Sequence, residues 1–376
     1  MALKNILHPD KAALSLATWW QTTHPGSTDV SVSDLHIPHS SGMSSETILF
    51  RVTWSQGTDQ HADDLVARLI QPGGQVLPWQ SFALERTAMD AVRTSTGLPA
   101  PTVHLIEHDT SVLGAPFLLM DRLPGRVLPD DPPFTAGGWL LDLTAEQQAA
   151  LFDNGLAAII GIHRADTSAF TADTLGHPDQ PGTLIQQHVR HWEDFYRWTA
   201  GDFVHPTIDA ALDWVNAHAP SPGDPGSETP VLCWGDARLG NLMFGPDQSV
   251  TAVLDWELAC LGLPELDLAW FVYLNRVYTD GFGLPTPAGF PTQDQTLRRY
   301  EELAGRRVRD FHFHYVFAGF RLAIIFLRLG KMMLDAGLLE PGAAFPISNP
   351  ASQELARILE LPPPSASDGG WFTGNR

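Results

Sequence analysis

The chain has 376 residues, which is long enough for two domains or one two-lobed unit, because single cores stop growing near roughly 250–300 residues. Apolar residues make up 44% and charged residues 18%, so a sizeable core is expected and a disordered chain is excluded. With 23 Lys and Arg against 43 Asp and Glu, the formal charge of −20 excludes general polyanion binding, and neither nucleic acid nor an anionic membrane is an expected partner.

In chain order, the N-terminal MALKNILHPDKAALSLATWW is interrupted by charged and polar residues, so no export signal is expected. Two cysteines, Cys233 and Cys260, cannot build a disulfide framework or a four-cysteine zinc site. They read as small buried apolar groups in a reducing, cytoplasmic setting.

Ile48, Phe50, Val52 and Trp54 alternate within TILFRVTW, and Leu65, Ala67 and Leu69 alternate within DLVARLI, which predicts two strands. The polar SQGTDQHAD between them predicts a hairpin-type connection, and QPGG at 71–74 ends the second strand. QSFALERTAMDAVRT at 80–94 has helical spacing and is stopped by GLPAP. An extended run from Phe117 to Met120 leads into DRLPG, so the order read here is strand, strand, helix, strand, linker.

From LPDDPPFTAGG onward the chain reads as mainly helical. Thr144 opens a long helix with Gln147 as capping-box partner, and Phe152, Leu156, Ile159, Ile160 and His163 form its buried stripe. A second helix spans Ile185 to Trp198, in which Trp192, Phe195, Tyr196 and Trp198 read as core. After the break APSPGDPGSETP comes a short strand-rich island, Val231 to Trp256. Phe313, Phe317, Phe320 and Ile324 predict a core-facing helix ending near Gly337, and His312, His314, Arg321, Arg328 and Lys331 make it too polar for a membrane span. The tail from Pro362 is expected to be loosely ordered.

The island VLCWGDARLGNLMFGPDQSVTAVLDWE carries the chemistry. Asp236 and Asp255 each sit just past a short buried strand, and Asn241 lies between them. Phosphoryl transfer needs a carboxylate that orients a hydroxyl and accepts its proton, together with oxygen ligands for a phosphate-bridging Mg²⁺. D-x-x-x-x-N followed by a strand-end Asp supplies both.

Here the sequence resembles the aminoglycoside phosphotransferase family of kinase-like enzymes over roughly residues 35 to 335, and more closely its branch of kinase domains fused to acyl-CoA dehydrogenases. That family's H-G-D-x-x-x-x-N reads here as Trp234-Gly235-Asp236-Ala237-Arg238-Leu239-Gly240-Asn241. The resemblance implies Asp236 as catalytic base, with Asn241 and Asp255 as metal ligands and Glu257 assisting. It also implies Ser41, Gly42, Ser44 and Ser45 as phosphate contacts, Arg68 where most kinases carry a strand lysine, and Glu85 as its helix partner. Met120, Asp121, Arg122 and Leu123 would form the hinge that holds the nucleotide base. Asp267 would support the Asp236 loop, and His163 would be a core residue. Trp234 replaces the usual His, so the hydrogen bond that supports the loop is expected to give way to aromatic packing.

The implied fold is α+β and protein-kinase-like: an N-terminal lobe with an antiparallel sheet and a leading helix at 1–123, a mainly helical lobe at 124–361, and a tail at 362–376. The implied activity is transfer of the γ-phosphate of ATP or GTP, with Mg²⁺, to a small-molecule hydroxyl. The acidic charge suits aminoglycosides, whereas the branch suggests hydroxy acids or acyl-CoA thioesters, for which Arg190, Arg276 and Arg321 are candidate basic contacts. A non-catalytic nucleotide-binding module and a metal-assisted hydrolase are the alternatives. The sequence leaves the oligomeric state open.

Overall fold

The computed structural model describes residues 8–38, 46–70, 75–171, 182–220 and 229–364. Its N-terminal part begins with α1 (Pro9–Thr23) and continues through β1 (Ser27–His36), β2 (Glu46–Gln56) and β3 (Asp59–Leu69). Then follow α2 (Phe82–Ser95), β4 (Val103–Glu107), α3 (Thr110–Leu113) and β5 (Phe117–Asp121). The strands form one antiparallel sheet in the order β1-β2-β3-β5-β4.

Strand β1 is absent from the sequence reading, and its composition explains the omission. STDVSVSDLH is mostly exposed at the sheet edge, and the register shifts twice, near Asp29 and Asp34, which both have φ of 51°. Such irregularities blunt the period-two signal. The polar SQGTDQHAD is also mostly strand rather than connection. Gln56 pairs with Asp59, so the link shrinks to Gly57 and Thr58, with Gly57 at φ +63°.

Alternation sorts β3 into two faces. Leu65, Ala67 and Leu69 join Ile48, Phe50, Val52, Trp19 and Trp20 in an outer core beneath α1. Arg68 therefore faces the other way, towards α2, which starts at Ser81, whose hydroxyl accepts from Leu84 N.

The helical part contains β6 (Arg126–Val127), α4 (Ala145–Ile162), α5 (Leu184–Ala200) and α6 (Pro206–His218). It continues through β7 (Val231–Cys233), β8 (Leu242–Phe244), β9 (Val250–Val253) and β10 (Cys260–Gly262). The remaining helices are α7 (Pro264–Tyr278), α8 (Gln293–Ala304), α9 (Phe311–Asp335) and α10 (Pro350–Ile358). The capping box of Thr144 and Gln147 is present at α4. Trp192, Phe195 and Tyr196 are core residues, but Trp198 is 54% exposed. It stacks on Phe195 and is covered by the Arg328 guanidinium, 4.7 Å from its ring.

A second, larger core runs from Phe82, Leu84, Ala88, Met89 and Val92 of α2 into α4, α7 and α9 without a break at residue 123. Polar ties follow the same grouping: Asp166 N donates to Ser95 Oγ (2.9 Å), Val253 N to the Pro99 carbonyl (2.8 Å) and Arg328 to the Gln75 carbonyl (3.1 Å). Each fully buried Leu or Phe contributes about 1.5–3 kcal/mol, so α2 is fastened to the helical part as well as to the sheet. Among the described residues no helix is long and apolar enough to cross a membrane.

Candidate active site

The Asp236 loop begins where β7 ends. Gly235 has φ +88°, and a Cβ there would lie 1.9 Å from the Leu258 carbonyl oxygen, so only glycine fits. Buried Asp267 of α7 holds this turn by accepting from Trp234 N (2.7 Å) and Gly235 N (2.8 Å). His163 Nε2 meets the same carboxylate at 3.0 Å, and its Nδ1 meets the Tyr300 hydroxyl at 3.2 Å. The N-cap of α7 is Leu263, so Asp267 acts on the loop and not as a cap. His163, Cys233 and Asp267 also have potential ligand atoms within 4.8 Å of one another. The Asp267 oxygens are already used by the loop and the imidazole, which makes this cluster a structural hub.

Trp234 corrects an expectation. Its ring packs near Trp256, with centroids 6.1 Å apart, but its indole N–H also donates to the Leu254 carbonyl at 2.8 Å. The hydrogen bond to the segment before Asp255 is therefore made by Trp234 itself, because a buried indole seeks an acceptor. Asn241 adds a second tie, accepting from Leu254 N at 2.9 Å through its backbone carbonyl. Asp255 follows just past the end of β9 with φ +59°, a left-handed conformation uncommon for a residue other than glycine.

Three donors converge on Asp236. Trp270 Nε1 reaches Oδ1 at 2.7 Å, and Oδ2 accepts from Asn241 Nδ2 (2.7 Å) and Arg238 Nε (3.1 Å). Arg238 is anchored in turn by Asp130 (2.6 Å) and the Tyr278 hydroxyl (3.2 Å). Sequence reasoning passed over Trp270, Arg238, Asp130 and Tyr278. Two signals were available: Arg238 lies inside the D-x-x-x-x-N motif, and Trp270 follows Asp267 by one helical turn on the same face.

On the sheet side, Arg68 is 8% exposed and shared by three carboxylates: Glu85, Asp255 Oδ1 at 2.8 Å and Glu257 Oε2 at 2.9 Å. Gln80 also donates to Glu257. Burial opposes the charge on Arg68, but the three acids outweigh it and hold the guanidinium firmly cationic. Glu85 is pushed up to about 7, because burial outweighs the attraction of Arg68 and Asp255 adds repulsion. Burial likewise raises the Asp255 carboxyl, against the pull of Arg68 and with added repulsion from Asp236.

The structure thus brings together Arg68, Glu85, Asp236, Asn241, Asp255 and Glu257. Met120, Asp121 and Leu123 stand at and just beyond the end of β5, beside β3, with the Asp121 carboxylate on His104 Nε2 at 2.7 Å. Ser41, Gly42, Ser44 and Ser45 lie outside the described residues. Of the three candidate basic contacts, Arg276 is paired with Asp280 and Glu354, and Arg190 lies on α5. Arg321 is buried between Trp270 and Trp192, 4.5 and 4.8 Å from their rings, and donates to the Gly235 carbonyl at 3.2 Å. It supports the loop from behind.

The family model described as "Phosphotransferase enzyme family" matches residues 37–312. Acyl-CoA dehydrogenase family member 10 of Mus musculus is 30% identical over 275 residues, covering 70% of this chain and 24% of the relative, so the chain spans about a quarter of that relative's length. A Ralstonia eutropha structure, provisionally assigned as an aminoglycoside phosphotransferase, superposes with a TM-score of 0.63 at 24% identity, over 92% of this chain and 95% of that one. A thermostable aminoglycoside phosphotransferase mutant in ternary complex with ADP and hygromycin B gives a TM-score of 0.56 at 20% identity, over 92% and 98%. The fold is accordingly the kinase-like α+β fold expected from the sequence.

Proposed function

The chain belongs to the phosphotransferase enzyme family, and from that premise we propose that it transfers the γ-phosphoryl group of ATP or GTP to a hydroxyl of a small molecule. The observation that carries this reading is the meeting of Asp236, Asn241 and Asp255 beside the Arg68–Glu85 pair. Asp236 serves as the base. Trp270, Asn241 and Arg238 fix its carboxylate, so that a remaining lone pair can align the acceptor hydroxyl and take its proton.

The donor set suits a hard divalent cation. Asp255, Glu257 and the Asn241 side-chain carbonyl are oxygen ligands, and one guanidinium shared by three carboxylates leaves an excess of negative charge that further positive charge would relieve. Asn241 and Asp255 are the residues that would hold Mg²⁺, which when bound neutralises the phosphate oxygens during transfer. Arg68 would exchange part of its carboxylate contacts for nucleotide phosphate. Ser41, Gly42, Ser44 and Ser45 are assigned to the phosphates, and the backbone of Met120, Asp121 and Leu123 to the base. Catalysis on this plan is chiefly positioning and electrostatics.

The test is a screen with γ-labelled ATP and GTP, with Mg²⁺ or with a chelator, against aminoglycosides, hydroxy acids and acyl-CoA thioesters bearing a free hydroxyl. Mg²⁺-dependent label on an acceptor is the expected result. Nucleotide binding with no transfer to any acceptor, or label released only as inorganic phosphate, would refute it.

A further inference from the structure

The chain contains two cysteines, and the fold places them directly opposite each other. Cys233, the last residue of β7, pairs in register with Cys260, the first of β10. Paired residues of an antiparallel ladder have Cα atoms about 4.5–5.5 Å apart and side chains on the same face, within the roughly 4.4–6.8 Å that a disulfide spans. The register therefore sets the two side chains next to each other.

Their surroundings are unequal. Cys233 is fully buried and donates to the Leu263 carbonyl at 3.3 Å, while Cys260 is only half-buried. Arg321, held on the Gly235 carbonyl, lies near both cysteines and makes no ion pair with a carboxylate among the described residues. Burial pushes the Cys233 thiol up, against the smaller opposing pull of Arg321, so Cys233 stays a protonated thiol and the more exposed Cys260 is the one that meets an oxidant. The Asp267 carboxylate is the opposing charge nearest Cys233.

We infer that Cys233 and Cys260 form a reversible oxidation site that closes as an intrachain disulfide beside the Asp236 loop. Hydrogen peroxide is the oxidant. The Cys260 thiolate attacks one peroxide oxygen and breaks the O–O bond, giving a sulfenic acid and hydroxide. The Cys233 sulfur then displaces hydroxide from the sulfenic sulfur. The S–S bond forms, the thiol proton leaves with the hydroxide as water, and two electrons have passed from the sulfurs to peroxide. The bridge joins the strand that enters the loop to the strand that leads into α7, which carries Asp267 and Trp270.

The reduced full-length chain would be treated with graded hydrogen peroxide, quenched, denatured, labelled with a thiol alkylator and weighed intact. The expected product loses two hydrogen atoms in mass, takes up no alkylator, yields a linked Cys233–Cys260 peptide and recovers both thiols after dithiothreitol. Cys260→Ser, at the half-buried position, should keep its fold by circular dichroism and leave the Cys233 thiol unoxidised at the same dose. Added oxygen on Cys260 with the Cys233 thiol intact, disulfides only between molecules, or two unchanged thiols at doses that oxidise free glutathione would each overturn the inference.

Discussion

Around Asp236 three donors serve one carboxylate, whereas around Arg68 one guanidinium serves three carboxylates. The first arrangement has its hydrogen-bond demand met by the protein and is preset. The second is oversupplied with acid, and its ionisation is already disturbed, with Glu85 pushed up to about 7. Preset geometry suits a group that must keep one orientation through a reaction. A strained charge balance suits a group that must trade partners as a cation and phosphate arrive.

The comparison is broken most severely by Asp236→Asn, which preserves shape and removes the proton acceptor. Acceptor phosphorylation is expected to fall by about 10²–10⁴ while nucleotide binding survives. Parallel kinetics and calorimetry check this, and turnover near the wild-type rate would remove Asp236 as base.

On the other side, Arg68→Ala strands Glu85, which is 1% exposed, and should cost about 3–5 kcal/mol of stability. The resemblance makes Arg68 a phosphate contact, whose loss would lower nucleotide affinity; its burial among three acids predicts a large stability loss as well. Adding Glu85→Gln to Arg68→Ala should recover part of that loss in denaturant titrations. No recovery would mean that the Glu85 charge is not what makes the single variant unstable.

Trp270→Phe sharpens the preset side. It keeps a ring beside Arg321 but deletes one hydrogen bond to Asp236, so turnover should drop about tenfold with little change in nucleotide affinity. An equal loss in both would make Trp270 a general packing residue.

The smallest effect lies away from both sides. Burial, with lesser repulsion from His188 and Arg306, pulls buried His314 from 6.5 to about 3. The unfolded chain therefore binds the proton first, and stability is lost as pH falls from about 6.5 towards 3. Between pH 6 and 5 this group should account for about 1 kcal/mol, which His314→Gln would remove from the pH dependence of unfolding. Parallel pH profiles for the two proteins would show that His314 does not titrate in this way.

The sequence displayed Asp236, Asn241 and the strand-end Asp255 through a tight local pattern, and displayed Arg68 and Glu85 through family resemblance. It did not display Asp130 or Tyr278, because those contacts span 108 and 40 residues and no local period marks them, and Trp270, 34 residues from Asp236, was marked only by its place one turn after Asp267. The helices were legible from caps and apolar stripes, as at Thr144. Strand β1 was not, because an exposed, twice-bulged edge carries little alternation. At Trp234 the residue type was noted as a departure, but the direction of its N–H depended on the placement of Leu254.

The shared core of α2 bears on how the molecule comes apart. Because α2 packs into the same apolar cluster as α4, α7 and α9, and residues 75, 95 and 99 are hydrogen-bonded to the helical part, the sheet cannot melt away taking α2 with it. A partial opening would instead run between β3 and α2, across the ion pair of Arg68 with Glu85. Local opening follows weakly held seams, and the one between β3 and α2 is bridged by a charge pair whose acidic member titrates near neutrality. Amide protons of β1 to β3 should then exchange as one cooperative group, while those of α2 share the slower exchange of α9.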